Sequence, residues 1–92
     1  MKYRLQTTNR FDRQLRNCLK RGYDEHLIED VIGFLVNGEQ LPAKYKAHKL
    51  KGKYVNNWEC HITPDWLLVW QQNDQELILL LMQTGTYSDL FG

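Results

Sequence analysis

The run ELILLLMQ, residues 76–83, constrains the fold of this chain more than any other feature. It shows neither helical periodicity nor clean alternation, and it is far short of the ~20 apolar residues that span a bilayer. Such a run suits a central strand covered on much of both faces. Gly85 breaks it, and TYSDLFG follows as a short tail. Two more strand signals precede it. Residues 66–72, WLLVWQQ, lead into a turn at Asn73-Asp74. Residues 54–62 alternate, with Trp58, Cys60 and Ile62 on one face and Glu59 and His61 on the other. Thr63-Pro64-Asp65 reads as the turn between them. Connections this short force an antiparallel meander.

The N-terminal half has a different rhythm. Residues 2–7 alternate as a short half-buried strand. Phe11, Leu15, Cys18 and Leu19 then share one helical face, with Arg10, Arg13, Arg16 and Lys20 around the rest. Thr7, Thr8 or Asn9 can cap this helix, and Gly22 can end it. Asp24 starts a second helix whose apolar stripe is Leu27, Ile28, Val31, Ile32 and Leu35, ended by Asn37-Gly38. The expected order is β-α-α-β-β-β. This is an α+β domain, an antiparallel sheet with a two-helix hairpin packed on one face. At 92 residues and 11.0 kDa the chain is expected to be a single domain, 1–92. Glu59 and His61 should point from the sheet's other, partly covered face.

Charge is divided unevenly. Residues 1–53 hold all twelve Lys and Arg against six acids, while residues 54–92 hold five acids and no Lys or Arg. A polyanionic partner touching one part of the surface is the natural expectation. The loop EQLPAKYKAHKLKGK, residues 39–53, concentrates Lys44, Lys46, Lys49, Lys51 and Lys53 around His48. Cys18 and Cys60 are too few for a disulfide framework and read as small buried hydrophobes. The segment MKYRLQTTNR has no apolar core, so no secretory signal or membrane association is expected, and the cytoplasm is the default compartment. The His and Cys spacing matches no zinc pattern. No Gly-rich phosphate loop, GxSxG or HExxH occurs. No metal and no cofactor are therefore expected.

What remains is His48, Glu59, His61, Asp65 and Tyr87. Glu59 and His61 lie two apart on one strand face, about 6.6 Å along it, a spacing that lets two groups address one phosphate. Metal-free RNA cleavage by the ribose 2′-OH needs a base for the hydroxyl, an acid for the leaving oxygen and cations for the pentavalent phosphate. Each residue taken singly has a plainer reading. A His among lysines is usually solvated, Asp65 after Pro64 is a turn former, and Tyr87 and Phe91 can pin a tail.

Three segments tip the balance together. LPAKYKAHKLKG, WECHITPDWLLVW and TGTYSDLFG, with their spacing, resemble the YafQ branch of the RelE/ParE toxin superfamily. The resemblance implies the toxin of a type II toxin–antitoxin pair, a ribosome-dependent mRNA endoribonuclease cutting in the A site by metal-free 2′-OH attack. Carried over by position, it implies His48, His61, Asp65, Tyr87 and Glu59 as catalytic. It further implies Lys44, Lys46, Lys49, Lys51, Lys53, Trp66 and Phe91 as RNA-binding. Two positions depart from the branch, which often has Asp where Glu59 stands and usually has His where Tyr87 stands. Tyr87 then either donates a hydrogen bond to the phosphate or acts as base. A free phenol is only about 0.1% ionised at pH 7, so the second role requires neighbouring cations. The implied partners are a DinJ-like antitoxin, the 70S ribosome with A-site mRNA, and operator DNA through the antitoxin alone. Two rival readings remain, a ParE-like gyrase-binding toxin and an inactive corepressor.

Overall fold

The computed structural model describes residues 1–92. Strand β1 (Arg4–Thr7) leads into helices α1 (Asn9–Lys20) and α2 (Glu25–Val36). A 3₁₀ turn at Ala43–Tyr45 precedes the short strand β2 (His48–Lys49), and another at Gly52–Tyr54 follows it. Strands β3 (Trp58–Thr63), β4 (Trp66–Asn73) and β5 (Ile78–Gly85) form the meander, and α3 (Tyr87–Phe91) closes the chain. The sheet order is β1-β5-β4-β3-β2. The apolar run is thus paired on both edges, as its composition requires.

The α+β class and the helix hairpin on one face are as the sequence implies. The antiparallel expectation needs a correction at one edge: β1 pairs with β5 in parallel. Short turns dictate direction only between strands they join, and most of the chain lies between these two. The lysine loop and the tail also contain more structure than expected, namely β2, two 3₁₀ turns and α3.

Helix boundaries follow local chemistry. Thr8 caps α1 by accepting the Phe11 N–H, and Asp24 caps α2 by accepting that of His26. Gly22, at φ +91°, takes the left-handed conformation that lets the chain reverse after α1. Phe11 and Cys18 from α1 and Ile28, Val31 and Leu35 from α2 pack on Cys60, Ile62, Trp66, Leu68, Trp70, Leu79 and Leu81. This is the main core.

The sheet's second face is smaller and covered by α3. There Leu67, Val69 and Leu90 form a cluster flanked by Leu50, Met82 and Phe91. Five residues cannot hold a helix alone. Burial of Leu90 contributes about 2 kcal/mol, and a reciprocal cap adds to it: Thr86 accepts the Asp89 N–H while Asp89 accepts that of Thr86.

Candidate active site on the second sheet face

Strand register assembles the candidate residues. His48 pairs with Glu59 across β2 and β3, Glu59 with Val69, and Val69 with Gln83. The next row runs from His61 through Leu67 to Gly85. Gly85 ends β5, and α3 begins at Tyr87. At the usual strand spacing, His61 and Gly85 lie about 10 Å apart. His48, Glu59 and His61 therefore share the face on which α3 lies.

The two histidines differ in their hydrogen bonding. His48 Nδ1 is 3.0 Å from the Lys46 carbonyl oxygen, and its Nε2 is 3.4 Å from Glu59 Oε1. A carbonyl only accepts, so Nδ1 carries a proton. The Nε2 contact with the carboxylate is an ion pair only when the ring is protonated. His61 Nδ1 lies 3.3 Å from the Pro64 carbonyl oxygen. That contact puts its proton on Nδ1 and leaves Nε2 as a free acceptor in the neutral ring.

Glu59 is only 7% exposed, so it is not the solvated charge that an outward strand position implies. Asp65 is exposed in the turn whose preceding carbonyl holds His61, and it is ion-paired to neither histidine. Tyr87 is 69% exposed on α3. Its ring centroid lies 5.1 Å from that of Phe91, which also meets Tyr54 edge-on at 5.1 Å. The three rings make a small aromatic platform between α3 and the lysine loop.

All five loop lysines are exposed, but they do not form a single patch. Lys44 and Lys46 line a cleft of about 390 Å³ that also contains His61. Lys49 pairs with Trp58, so it leaves the sheet opposite His48, and its Nζ sits 5.4 Å over the Trp58 ring.

Trp66 requires a correction. It is 1% exposed and belongs to the main core, where its indole donates to Thr84 Oγ1 at 2.8 Å and packs edge-on against Tyr23. It cannot stack on a base. The residue after Asp65 falls on the helix-facing side of β4, next to Leu68 and Trp70 in the same register.

Sequence reasoning missed Tyr54, Arg21, Thr86 and Asp89. Thr86-x-x-Asp89 is a capping pattern that could have announced α3. Arg21 Nη2 lies 2.9 Å from Asp89 Oδ2 and ties the end of α1 to α3. The Thr86 N–H and the Arg21 guanidinium hold the Asp89 carboxyl below its ordinary range. Cys60 lies behind the site in the core, and burial pushes its thiol up to about 12. No three His, Cys, Asp or Glu side chains converge into a metal-ligand cluster.

A two-layer α+β domain with two histidines, a buried carboxylate and a partly exposed aromatic cluster beside a lysine loop has a RelE-like toxin architecture. The sequence pattern of the bacterial YafQ toxins of type II toxin–antitoxin systems matches residues 3–92, and the chain belongs to that family. It is 29% identical to the mRNA interferase toxin YafQ of Escherichia coli K12 over 89 residues, 96% of this chain and 95% of that protein. A metal-bound toxin from Helicobacter pylori superposes with a TM-score of 0.91 at 41% identity, covering 99% of this chain and 100% of the other. YafQ in the E. coli DinJ–YafQ complex superposes at 0.90 with 28% identity, covering 98% and 99%.

Proposed function

We propose that this chain is an mRNA interferase, the toxin of a type II pair, which cuts messenger RNA in the ribosomal A site by metal-free acid–base chemistry. The observation that carries this reading is the pairing of two differently bonded histidines on one sheet face. His61 offers a free Nε2, and His48 stands beside the Glu59 carboxylate. In the proposed reaction His61 Nε2 takes the ribose 2′-OH proton as the oxygen attacks phosphorus. The bond from phosphorus to the 5′-oxygen breaks, and that oxygen takes a proton from the His48 imidazolium. The products are a 2′,3′-cyclic phosphate and a 5′-hydroxyl. Glu59 Oε1, 3.4 Å from His48 Nε2, orients the ring. Lys44 and Lys46 supply positive charge beside His61. Tyr87 donates a hydrogen bond to the phosphate and keeps its proton, Phe91 and Tyr54 stack on a neighbouring base, and Asp65 tunes the field at His61.

The E. coli relative is named for mRNA interferase activity and is seen in complex with DinJ. A DinJ-like antitoxin is accordingly the proposed partner, with operator DNA reached through it. The test is cleavage of a ribosome-bound message by wild type and by His48→Ala, His61→Ala, Asp65→Ala and Tyr87→Phe variants. Loss of at least a hundredfold in either histidine variant is expected. Wild-type rates in all four overturn the site. Trapped gyrase–DNA breaks in place of cut messages overturn the function.

A further inference from the structure

A second cationic feature lies beside α3. Residues 10, 13, 14, 17 and 21 follow one polar stripe along α1 and its C-cap. Arg10, Arg13, Gln14, Asn17 and Arg21, with Thr84 and Asp89, line a groove of about 420 Å³ that has no apolar wall. Only Asp89 is acidic there, and it is engaged by Arg21. Arg10 and Arg13 form no ion pair. Gln14 Oε1 accepts the Thr84 N–H at 3.0 Å, so the amide is oriented and its NH₂ edge is left to donate elsewhere. The groove thus gathers two unpaired guanidiniums, one guanidinium fixed in place, and amide donors. That set suits oxygen anions, and guanidinium forks match phosphate geometry.

Its position matters as much as its chemistry. Helix α3 is bracketed by Tyr54 of the lysine loop, which meets Phe91, and by Arg21 of α1, which holds Asp89. Lys53, whose Nζ lies 5.3 Å over the Tyr54 ring, and the arginine groove are thus both tied to the same five-residue helix. We propose that this groove binds RNA phosphodiester backbone, as a second cationic bank beyond the cleavage site. The inference rests on the proposed ribosomal activity for its biological setting, but it concerns binding rather than cleavage.

The test uses 70S ribosomes programmed with a message that carries a 2′-deoxy nucleotide at the cut site, so that binding is read without reaction. Arg10→Gln/Arg13→Gln should weaken binding about tenfold and reduce the log K against log salt slope by about 1.5. The single-turnover rate at saturating protein on a cleavable message should stay unchanged. Arg16→Gln, on another flank of α1, should have little effect. An unchanged salt slope in the double variant overturns the proposal. So does an equal effect from Arg16→Gln, which would mean diffuse charge, or a loss of antitoxin affinity with ribosome binding intact. Failure of the wild type to cut the cleavable message while still binding ribosomes would overturn the enzymatic reading and leave the groove standing.

Discussion

His48 Nε2 stands 3.4 Å from Glu59 Oε1, across a strand pairing only two residues long. The carboxylate is nearly buried while the imidazole is half exposed. Glu59→Gln keeps the shape and removes the charge. It should lower the cleavage rate about tenfold with little change in melting temperature. In a double-mutant cycle the rate effects of Glu59→Gln and His48→Ala should be strongly non-additive. Additive effects would show that the pair does not act together.

At Tyr87 the question is what the phenol contributes. Tyr87→Phe should reduce single-turnover cleavage about a hundredfold and leave folding unchanged, because the ring is exposed. Tyr87→His should retain activity within about tenfold and change the pH dependence of the rate, since imidazole titrates near neutrality and phenol does not. An identical pH profile would remove Tyr87 from the proton and phosphate chemistry.

Gly85 has φ +148°, and a Cβ there would sit 2.8 Å from Asp89 Oδ2 and 2.9 Å from Asp89 Cβ. Gly85→Ala should cost about 1–3 kcal/mol in urea unfolding. It should also lower cleavage by displacing α3. Wild-type stability would mean that the helix tolerates a different seat.

The Asp89 carboxyl titrates below its ordinary range because the Thr86 N–H and Arg21 stabilise its charge. A depressed folded value means that its contribution is present above about pH 4, the ordinary aspartate value, and is lost as pH falls through the folded value. Asp89→Asn should therefore lower the melting temperature at pH 7, and the gap from wild type should close on acidification. A gap independent of pH would assign the effect to the lost cap geometry alone.

Trp66 belongs to the core, so Trp66→Phe should destabilise the fold by about 1–2 kcal/mol through the lost bond to Thr84 and the smaller ring. Affinity for programmed ribosomes should not change. A selective loss of RNA affinity at full stability would return Trp66 to the binding surface.

The meander, the helix hairpin and the assignment of faces on β3 were legible because strand alternation and short turns are local signals. Glu59 and His61 could be placed together for the same reason. The β1–β5 pairing was not legible, since nothing near residues 4–7 encodes which distant strand they join. The burial of Glu59 depends on His48 arriving from a loop, and the burial of Trp66 on which side of β4 starts the strand. Tyr54 gave no sequence signal as a partner of Phe91. Three residues joining the tail to α1 were missed for different reasons: Thr86 and Asp89 form a readable cap, whereas Arg21 meets Asp89 only in three dimensions.

The anchoring of α3 separates what holds the tail from what the tail presents. Leu90, Asp89 and Gly85 seat the helix, while Tyr87 projects largely into solvent. A side chain presented this way can be exchanged for another while the scaffold beneath is spared the change.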